Sequence, residues 1–564
     1  MPLRSLEEYS IPNAVSSGKM GKTGKNRQKI FLKRGWQRWH PAGENRCKRF
    51  SIKGNHGGCI RNAVVMQKIG CRGRGLTDGE GEGILGAMKV IRMMTVLLAM
   101  LWAVGTAGAW QQVNENAGEP AREFRAAWVA TVFNLDWPSR SGLSAAAQQR
   151  ELISILDTAR RLRLNAIILQ VRPNGDALYR SSLEPWSGWL SGAGVNPGYD
   201  PLAFAVQEAH RRGLELHAWF NPFRATVSGR PVGRGHISQR RPDLIRKAGS
   251  TTILNPSASA SKEHVLKVIM DVVRRYDIDG VHLDDYFYPY PPNNNIADGK
   301  SPAQRRAAID SFVSDLYSRV KREKPWVRVG ISPFGIWQPG YPAGVSAGVN
   351  AYEHLACDAR KWLAKGWVDY LSPQLYWRIQ GPQSFTALMQ WWAGINRSRP
   401  VWPGIASVRI NSSEDPGRPA SEIGAQVDAA RKYANRTGAG EIFWSWKSLG
   451  TNRGGVQKEL ARRYSGIALP PPMPWSGSAR PARPGVTAQA ARDGVSLRWT
   501  PADKLARKWV VQVLSGNRWH TVYVLPGSAR GVTLPSAVSK AARRIAVRAV
   551  SGTGISGQAG VCAP

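Results

Sequence analysis

From residue 122 to about residue 466 the chain alternates two kinds of apolar pattern. Short runs dense in apolar residues recur at 124–133, 166–171, 215–220, 280–283, 328–332, 370–375, 401–406 and 441–446, and runs of this length bounded by turn residues read as buried strands. Between them, apolar residues recur at three- and four-residue spacing over 145–163, 201–212, 262–276, 302–323, 354–365, 384–396 and 420–437. In the first of these, Leu152, Ile155, Leu156, Ala159 and Leu162 share one helical stripe. Strands alternating with helices specify parallel pairing through helical crossovers. Eight strand candidates therefore predict an α/β fold, a (β/α)8 TIM barrel with enlarged loops, over residues 122–466. A doubly wound open sheet is the competitor, but no Gly-x-Gly-x-x-Gly turn follows the first strand, which counts against a dinucleotide fold.

The pattern changes on both sides of this block. Residues 467–484 are rich in proline and form a semi-rigid linker. Over 485–564 short alternating segments at 495–499, 509–514, 519–524 and 544–550 are separated by Gly, Pro and Asp turns, which predicts a small all-β sandwich. This segment resembles a fibronectin type III module, with Trp499 in the place of that family's core tryptophan. Upstream, residues 1–87 are polar and rich in Lys, Arg and Gly with no sustained apolar period, and read as a non-native or disordered extension. At residue 88 a basic stretch, an apolar run from Thr95 to Val104 and the small-residue site Ala107-Gly108-Ala109 follow in order. That is the order of a secretory signal peptide, here 88–109, with translation starting at Met88. The apolar run is shorter than the roughly 20 residues of a membrane span. The mature chain is thus expected to be periplasmic or extracellular, without a stable membrane anchor.

Charge changes the picture less than its size suggests. The formal net charge is +39, which alone would point to nucleic acid or an anionic surface. Residues 1–87 hold 17 Lys and Arg against 6 Asp and Glu, and the remaining excess is mostly Arg scattered over helical faces, so a nucleic-acid partner is not expected. A basic exterior still suits an anionic envelope polymer. Cys47, Cys59 and Cys71 lie in the upstream segment and lack metal-site spacing, and Cys357 and Cys562 are far apart in sequence. Neither a disulfide framework nor a metal is expected, and no cofactor.

The chemistry concentrates at the end of the fourth strand, Gly280-Val-His282-Leu-Asp284-Asp285-Tyr286-Phe-Tyr-Pro289. Barrel enzymes carry their chemistry at strand C-termini, so Asp284 and Asp285 are the candidate catalytic residues. Strand alternation puts Val281, Leu283 and Asp285 on one face, and His282 and Asp284 on the face towards the barrel mouth. Asp285 joins Asp284 there if the backbone twists at the strand end. His282 with Asp284 offers two metal ligands where zinc needs a third, so His282 reads instead as a hydrogen-bonded neighbour in the substrate site. Other strand ends carry Arg172, Asn174 and Asp176 after the second strand, and Asn221 and Arg224 after the third. Gln374, Tyr376 and Trp377 follow the sixth, and Trp444 and Trp446 end the eighth. With Tyr286 these are the candidate substrate-binding residues, because aromatic faces flanked by hydrogen-bonding groups suit the apolar faces and polar rims of sugars.

With these motifs in view the barrel resembles the glycoside hydrolase-like 10 family. The resemblance rests on Phe124-Arg-Ala-Ala-Trp-Val-Ala-Thr131, Asn134-Leu-Asp-Trp-Pro138, Gln170-Val-Arg-Pro173, His217-Ala-Trp-Phe-Asn-Pro222 and the Asp279-to-Pro289 run. It continues in Gly366-Trp-Val-Asp-Tyr-Leu-Ser-Pro-Gln-Leu-Tyr-Trp377 and Glu441-Ile-Phe-Trp-Ser-Trp446. It implies a (β/α)8 glycosidase of the bacterial envelope, some of whose relatives cut peptidoglycan strands freed of their stem peptides. The fourth strand is also similar to the Asp-Gly-x-Arg-x-Asp pattern of α-amylase-type barrels, which implies a nucleophile at Asp284 and sets His282 in the arginine's place. Those enzymes carry an acid at the end of the fifth strand, where this chain reads Ile331-Ser-Pro-Phe-Gly335. The proton donor is therefore unassigned by the resemblance; Asp285 is the first candidate, with Asp176, Asp136 and Glu353 as weaker ones. A substrate's 2-acetamido oxygen can itself be the nucleophile, with adjacent acids orienting it and protonating the leaving group, and both mechanisms stay open. The other reading of the same residues is a non-catalytic glycan-binding envelope protein.

Overall fold

The computed structural model describes residues 110–564; the upstream segment 1–87, the signal-like segment 88–109 and Cys47, Cys59 and Cys71 lie outside the described residues. Eight parallel strands form the barrel: β1 Phe124–Val129, β2 Ala166–Arg172, β3 Glu215–Phe220, β4 Gly280–Leu283, β5 Arg328–Ile331, β6 Tyr370–Leu371, β7 Gly404–Ala406 and β8 Gly440–Trp444. Their bonded order is β6-β5-β4-β3-β2-β1-β8-β7. The circle closes where Leu371 bridges Val401 and Gln374 bridges Gly404, with Gly404 N–H donating to Pro373 O at 2.8 Å. Helices α1 Ala145–Arg161, α2 Pro201–Arg211, α3 Ser259–Arg275, α4 Pro302–Glu323, α5 Ala359–Lys365, α6 Phe385–Ile395, α7 Ala420–Tyr433 and α8 Val456–Arg463 follow the strands in turn. Local chemistry starts them. Ser301 and Gln304 form a capping box ahead of α4, with Pro302 in its first turn. The carboxylates of Asp200 and Asp358 cap α2 and α5.

Several elements are shorter than their apolar runs. The first strand stops at Val129, and Val132–Asn134 is a 3-10 turn in which Phe133 and Asn134 take φ of 57° and 52°. β6 has two residues because Pro373 interrupts the ladder. The predicted helix at 354–365 is two helices, Ala351–His354 and α5, broken at Ala356 with φ 53°. Helix α8 buries only Val456 and Leu460, too thin a stripe for its periodicity to stand out among charged neighbours.

Side-chain alternation divides the barrel as strand geometry requires. Ala127, Val129, Ile167, Leu169, Leu216 and Ala218 face the helices, while Phe124, Ala126, Trp128, Ile168, Trp219, Tyr370, Trp402 and Ile442 fill the interior. These rings fit because β4 and β5 yield space at glycines: a Cβ on Gly280 would lie 2.6 Å from the His217 ring, and one on Gly330 would lie 2.0 Å from that of Tyr370. The interior also holds a polar chain. Trp128 Nε1, which can only donate, points at His282 Nε2 at 3.0 Å, so the His282 proton sits on Nδ1 and is given to Tyr370 Oη at 2.9 Å. Tyr370 Oη lies 3.0 Å from His217 Nδ1, and His217 Nε2 is 3.2 Å from Glu215.

Residues 485–564 form two antiparallel sheets from β9 Gly485–Ala491, β10 Gly494–Thr500, β11 Lys508–Ser515, β12 Arg518–Pro526, β13 Gly531–Pro535, β14 Arg544–Val550 and β15 Ser556–Ala563. One sheet is β9-β10-β13; the other is β12-β11-β14-β15, extended at its edge by Gln111–Val113. Trp499 lies in the core between the sheets, 5.8 Å from Trp509. This unit covers the N-terminal ends of the barrel strands. Lys508 Nζ reaches Glu215 at 2.7 Å and Asp279 at 3.5 Å, Asp279 holds His210 at 2.8 Å, and Arg507 pairs with Asp277. The proline-rich segment runs along the same seam, where Leu469 exchanges backbone hydrogen bonds with Ala121 and Glu123, and Met473 is fully buried. Among the described residues no helix is long and apolar enough to cross a membrane.

Candidate active site

At the opposite end, where the strand C-termini gather, a cavity of about 440 Å³ opens. Its floor is indole. Trp128 from β1, Trp219 from β3 and Trp444 from β8 line it, and Trp444 meets the other two edge-on at centroid distances of 6.1 Å. Asp284 and Asp285 stand beside them. One wall is the tip Ala248 to Thr251 of a small antiparallel sheet inserted after β3, and facing it lies the loop through Tyr286, Tyr290 and Asn293. Gln374, Tyr376, Arg409 and Glu414 complete the rim.

The two carboxylates differ in their surroundings. Asp284 continues the inward face of β4, and its Oδ2 accepts from Trp219 Nε1 at 3.1 Å and from Asn221 Nδ2 at 2.9 Å. Burial raises its pKa; the nearby Arg224 charge and these two hydrogen bonds oppose that rise. The chain leaves the strand at Leu283, and this turn brings Asp285 to the same cavity instead of the helix layer. Its Oδ2 accepts a hydrogen bond from the Tyr290 hydroxyl. Burial, followed by the negative charge of Asp284, pushes the Asp285 carboxyl up to about 7. A carboxylic acid that keeps its proton near neutrality beside a second carboxylate is equipped for general acid catalysis.

The structure gathers part of the expected set at the cavity: Asp284, Asp285, Arg224, Tyr286, Gln374, Tyr376 and Trp444 line it. The other candidates lie elsewhere. His282 is fully buried beneath the floor, where it orients Trp128, is held neutral by burial and the neighbouring His217, and does not line the cavity. Asn221 acts one layer back, on Asp284. Arg172 is buried in an ion pair with Glu184 at 2.6 Å and donates to Asn221 O. Asn174 and Asp176 are spent on their own loop, the Asp176 carboxylate accepting from the Asn174 and Gly188 backbone. Trp377 packs edge-on against Phe334, and Trp446 is buried at a helix start behind Trp444. Nor do the weaker acid candidates reach the cavity. Asp136 ties β1 to β8 by accepting from Ser445 Oγ and Lys447 N at 2.8 and 2.7 Å, and Glu353 pairs with Arg306 at 2.8 Å. Trp128, Trp219, Arg409 and Glu414 also line the cavity, although no sequence motif singles them out, and Tyr290 joins them from the loop that follows β4. Inward alternation along β1 and β3 is the signal for the two tryptophans; Arg409 and Glu414 carry none, since loops bring them in. Among the described residues no group of three His, Cys, Asp or Glu side chains could hold a metal ion.

Comparison with known proteins agrees with this geometry. Residues 123–417 match the family model described as "Glycosyl hydrolase-like 10". The chain is 36% identical over 430 residues to the glycosyl hydrolase YngK of Bacillus subtilis, covering 71% of this chain and 83% of that one. It is 33% identical to the glycosyl hydrolase DigH of Escherichia coli, over 52% of this chain and 75% of DigH. Among solved structures, an α-L-fucosidase isoenzyme from Paenibacillus thiaminolyticus overlays with a TM-score of 0.40 at 10% identity, over 62% of this chain and 49% of its own, too loosely to bear on the chemistry. The chain belongs to the glycosyl hydrolase-like 10 family and is a glycoside hydrolase.

Proposed function

We propose that this enzyme is exported and hydrolyses the glycan strands of peptidoglycan after their stem peptides have been removed, with Asp285 as proton donor and Asp284 as the second catalytic carboxylate. The observation that carries the reading is the pair itself: adjacent buried carboxylates, one with its pKa raised to about 7, on an indole floor. Aromatic faces beside hydrogen-bonding rims are what a sugar ring needs. The walls at Ala248 to Thr251 and Tyr286 to Asn293 confine the cavity, which favours bare strands over strands branched with peptides. The signal-like segment 88–109 and the excess of Lys and Arg that remains outside residues 1–87 support an envelope setting. The strand orders β9-β10-β13 and β12-β11-β14-β15 support a fibronectin type III-like reading of the C-terminal unit, whose role here is to close the barrel base.

The test incubates the purified protein with intact and with amidase-stripped peptidoglycan and identifies new chain ends by mass spectrometry. Release from stripped strands, lost in Asp284→Asn and in Asp285→Asn, is expected. Release from neither polymer, or equal release from both, overturns the proposed substrate.

A further inference from the structure

The indole floor has a chemical consequence of its own. The Trp128 N–H is committed to His282 at 3.0 Å and the Trp219 N–H to Asp284 at 3.1 Å. With Trp444 edge-on to both, these two rings offer the cavity carbon surface beside Asp284. A hydroxyl set against those two rings would find no partner in them, whereas a methyl group would be well placed. The carboxylates add a second constraint. Asp284 and Asp285 leave the end of one strand and reach the cavity from the same side. Displacement with a protein nucleophile needs one carboxylate at the leaving oxygen and another on the opposite face of the ring. The third carboxylate lining the cavity, Glu414, is ion-paired with Arg409 at 3.0 Å. Asp284 in turn has its Oδ2 doubly bonded by Trp219 and Asn221, while among the described residues Oδ1 receives the Tyr286 N–H at a longer 3.4 Å, with the Arg224 charge nearby. That leaves Oδ1 able to accept a further N–H.

Resting on the glycosidase reading above, we propose that the sugar at the cleavage point carries a 2-acetamido group, with its methyl among Trp128, Trp219 and Trp444 and its N–H on Asp284, and that its carbonyl oxygen is the nucleophile. In the first step the acetamido oxygen bonds to C1 as the glycosidic C1–O bond breaks. The Asp285 proton passes to the leaving oxygen, and Asp284 balances the positive charge of the oxazolinium ring. In the second step water attacks C1 and gives a proton to the Asp285 carboxylate. The bond from C1 to the acetamido oxygen breaks, restoring the acetamido group with the anomeric configuration retained. Here Asp284 orients and stabilises and is never glycosylated.

The experiment uses the full chain with three probes. They are peptide-free strands and their chemically de-N-acetylated counterpart, aryl 2-acetamido glycosides with zero to three fluorines on the acetyl group, and the thiazoline analogue of the cyclic intermediate. De-N-acetylation is expected to lower kcat/KM by at least about 10³-fold, because it removes an internally positioned nucleophile. Each fluorine should slow turnover further, and the thiazoline should bind competitively, with binding read by calorimetry independently of turnover. Rates insensitive to fluorination, no thiazoline binding, or a glycosyl adduct trapped on Asp284 or Glu414 by a 2-fluoro sugar would each overturn the inference. Thiazoline binding and a fluorine effect without cleavage of stripped strands would leave this inference standing and remove the peptidoglycan substrate. Cleavage of stripped strands without either would do the reverse.

Discussion

Replacing Tyr290 by phenylalanine removes one hydroxyl from the wall of the cavity and leaves the ring, which packs against Phe334 at 6.2 Å and Tyr286 at 6.3 Å. That hydroxyl donates to Asp285 Oδ2, and a donor on a carboxylate favours its ionised form. Burial and Asp284 push the Asp285 carboxyl up to about 7, and the Tyr290 hydrogen bond works against them. A hydrogen bond to a charged group contributes about 1.5–3 kcal/mol, and one pKa unit corresponds to about 1.4 kcal/mol. Losing the bond therefore raises the Asp285 pKa to about 8–9. Asp285 must be protonated to act as an acid, so the basic limb of the kcat/KM profile moves up by the same amount. The assay is a pH–rate profile of wild type and Tyr290→Phe on one soluble substrate, with circular dichroism as a check on folding. A limb that stays near pH 7, or moves down, refutes Asp285 as the proton donor held by Tyr290.

Asp285→Asn tests the same environment through stability. A carboxyl raised from its ordinary value to about 7 favours the fold below the unfolded pKa of about 4 and loses that contribution as pH rises through 7. Asparagine, close in shape to the neutral acid, should leave urea stability near unchanged at pH 4 and raise it by up to about 4 kcal/mol at pH 8; equal effects at both pH values would refute the shift. Lys508→Ala removes the lysine shared by Glu215 and Asp279 at the barrel base, leaving Arg328 beside the first and His210 beside the second. Although burial alone would raise it, Lys508 and Arg328 hold Glu215 down to about 2, so the cost in urea unfolding should be about 3–5 kcal/mol, and a loss below about 1 kcal/mol would mean that the seam is open to water. Gly330→Ala drives a Cβ to 2.0 Å from the Tyr370 ring; destabilisation of about 3 kcal/mol or more by thermal denaturation is expected, and a neutral result would show that Tyr370 can move aside.

Apolar periodicity by itself determined the eight strand positions and seven of the eight helices around them, because each strand must be apolar on both faces and each helix on one. It also marked the β4 end as the place for chemistry, since a run of four buried residues there stops at two acids. The same logic over-extended the strands at Thr131 and Leu375, where Phe133 at positive φ and Pro373 end the ladder for reasons of backbone geometry. Only the tertiary structure decided which polar residues meet the substrate. His282 and Asp284 share a strand face, yet one lies below the indole floor and the other above it, because depth along the barrel axis depends on the stagger of neighbouring strands. Arg172 and Asp176 are as polar as Arg224 and Glu414, but Glu184 and nearby backbone groups take them up in the wall. Tyr290 and Glu414 enter from loops whose paths no periodicity records. A strand's pattern tells a side chain which face to take; what it meets there is set by residues 5 to 154 positions away, such as Tyr290 on Asp285 and Trp128 on His282.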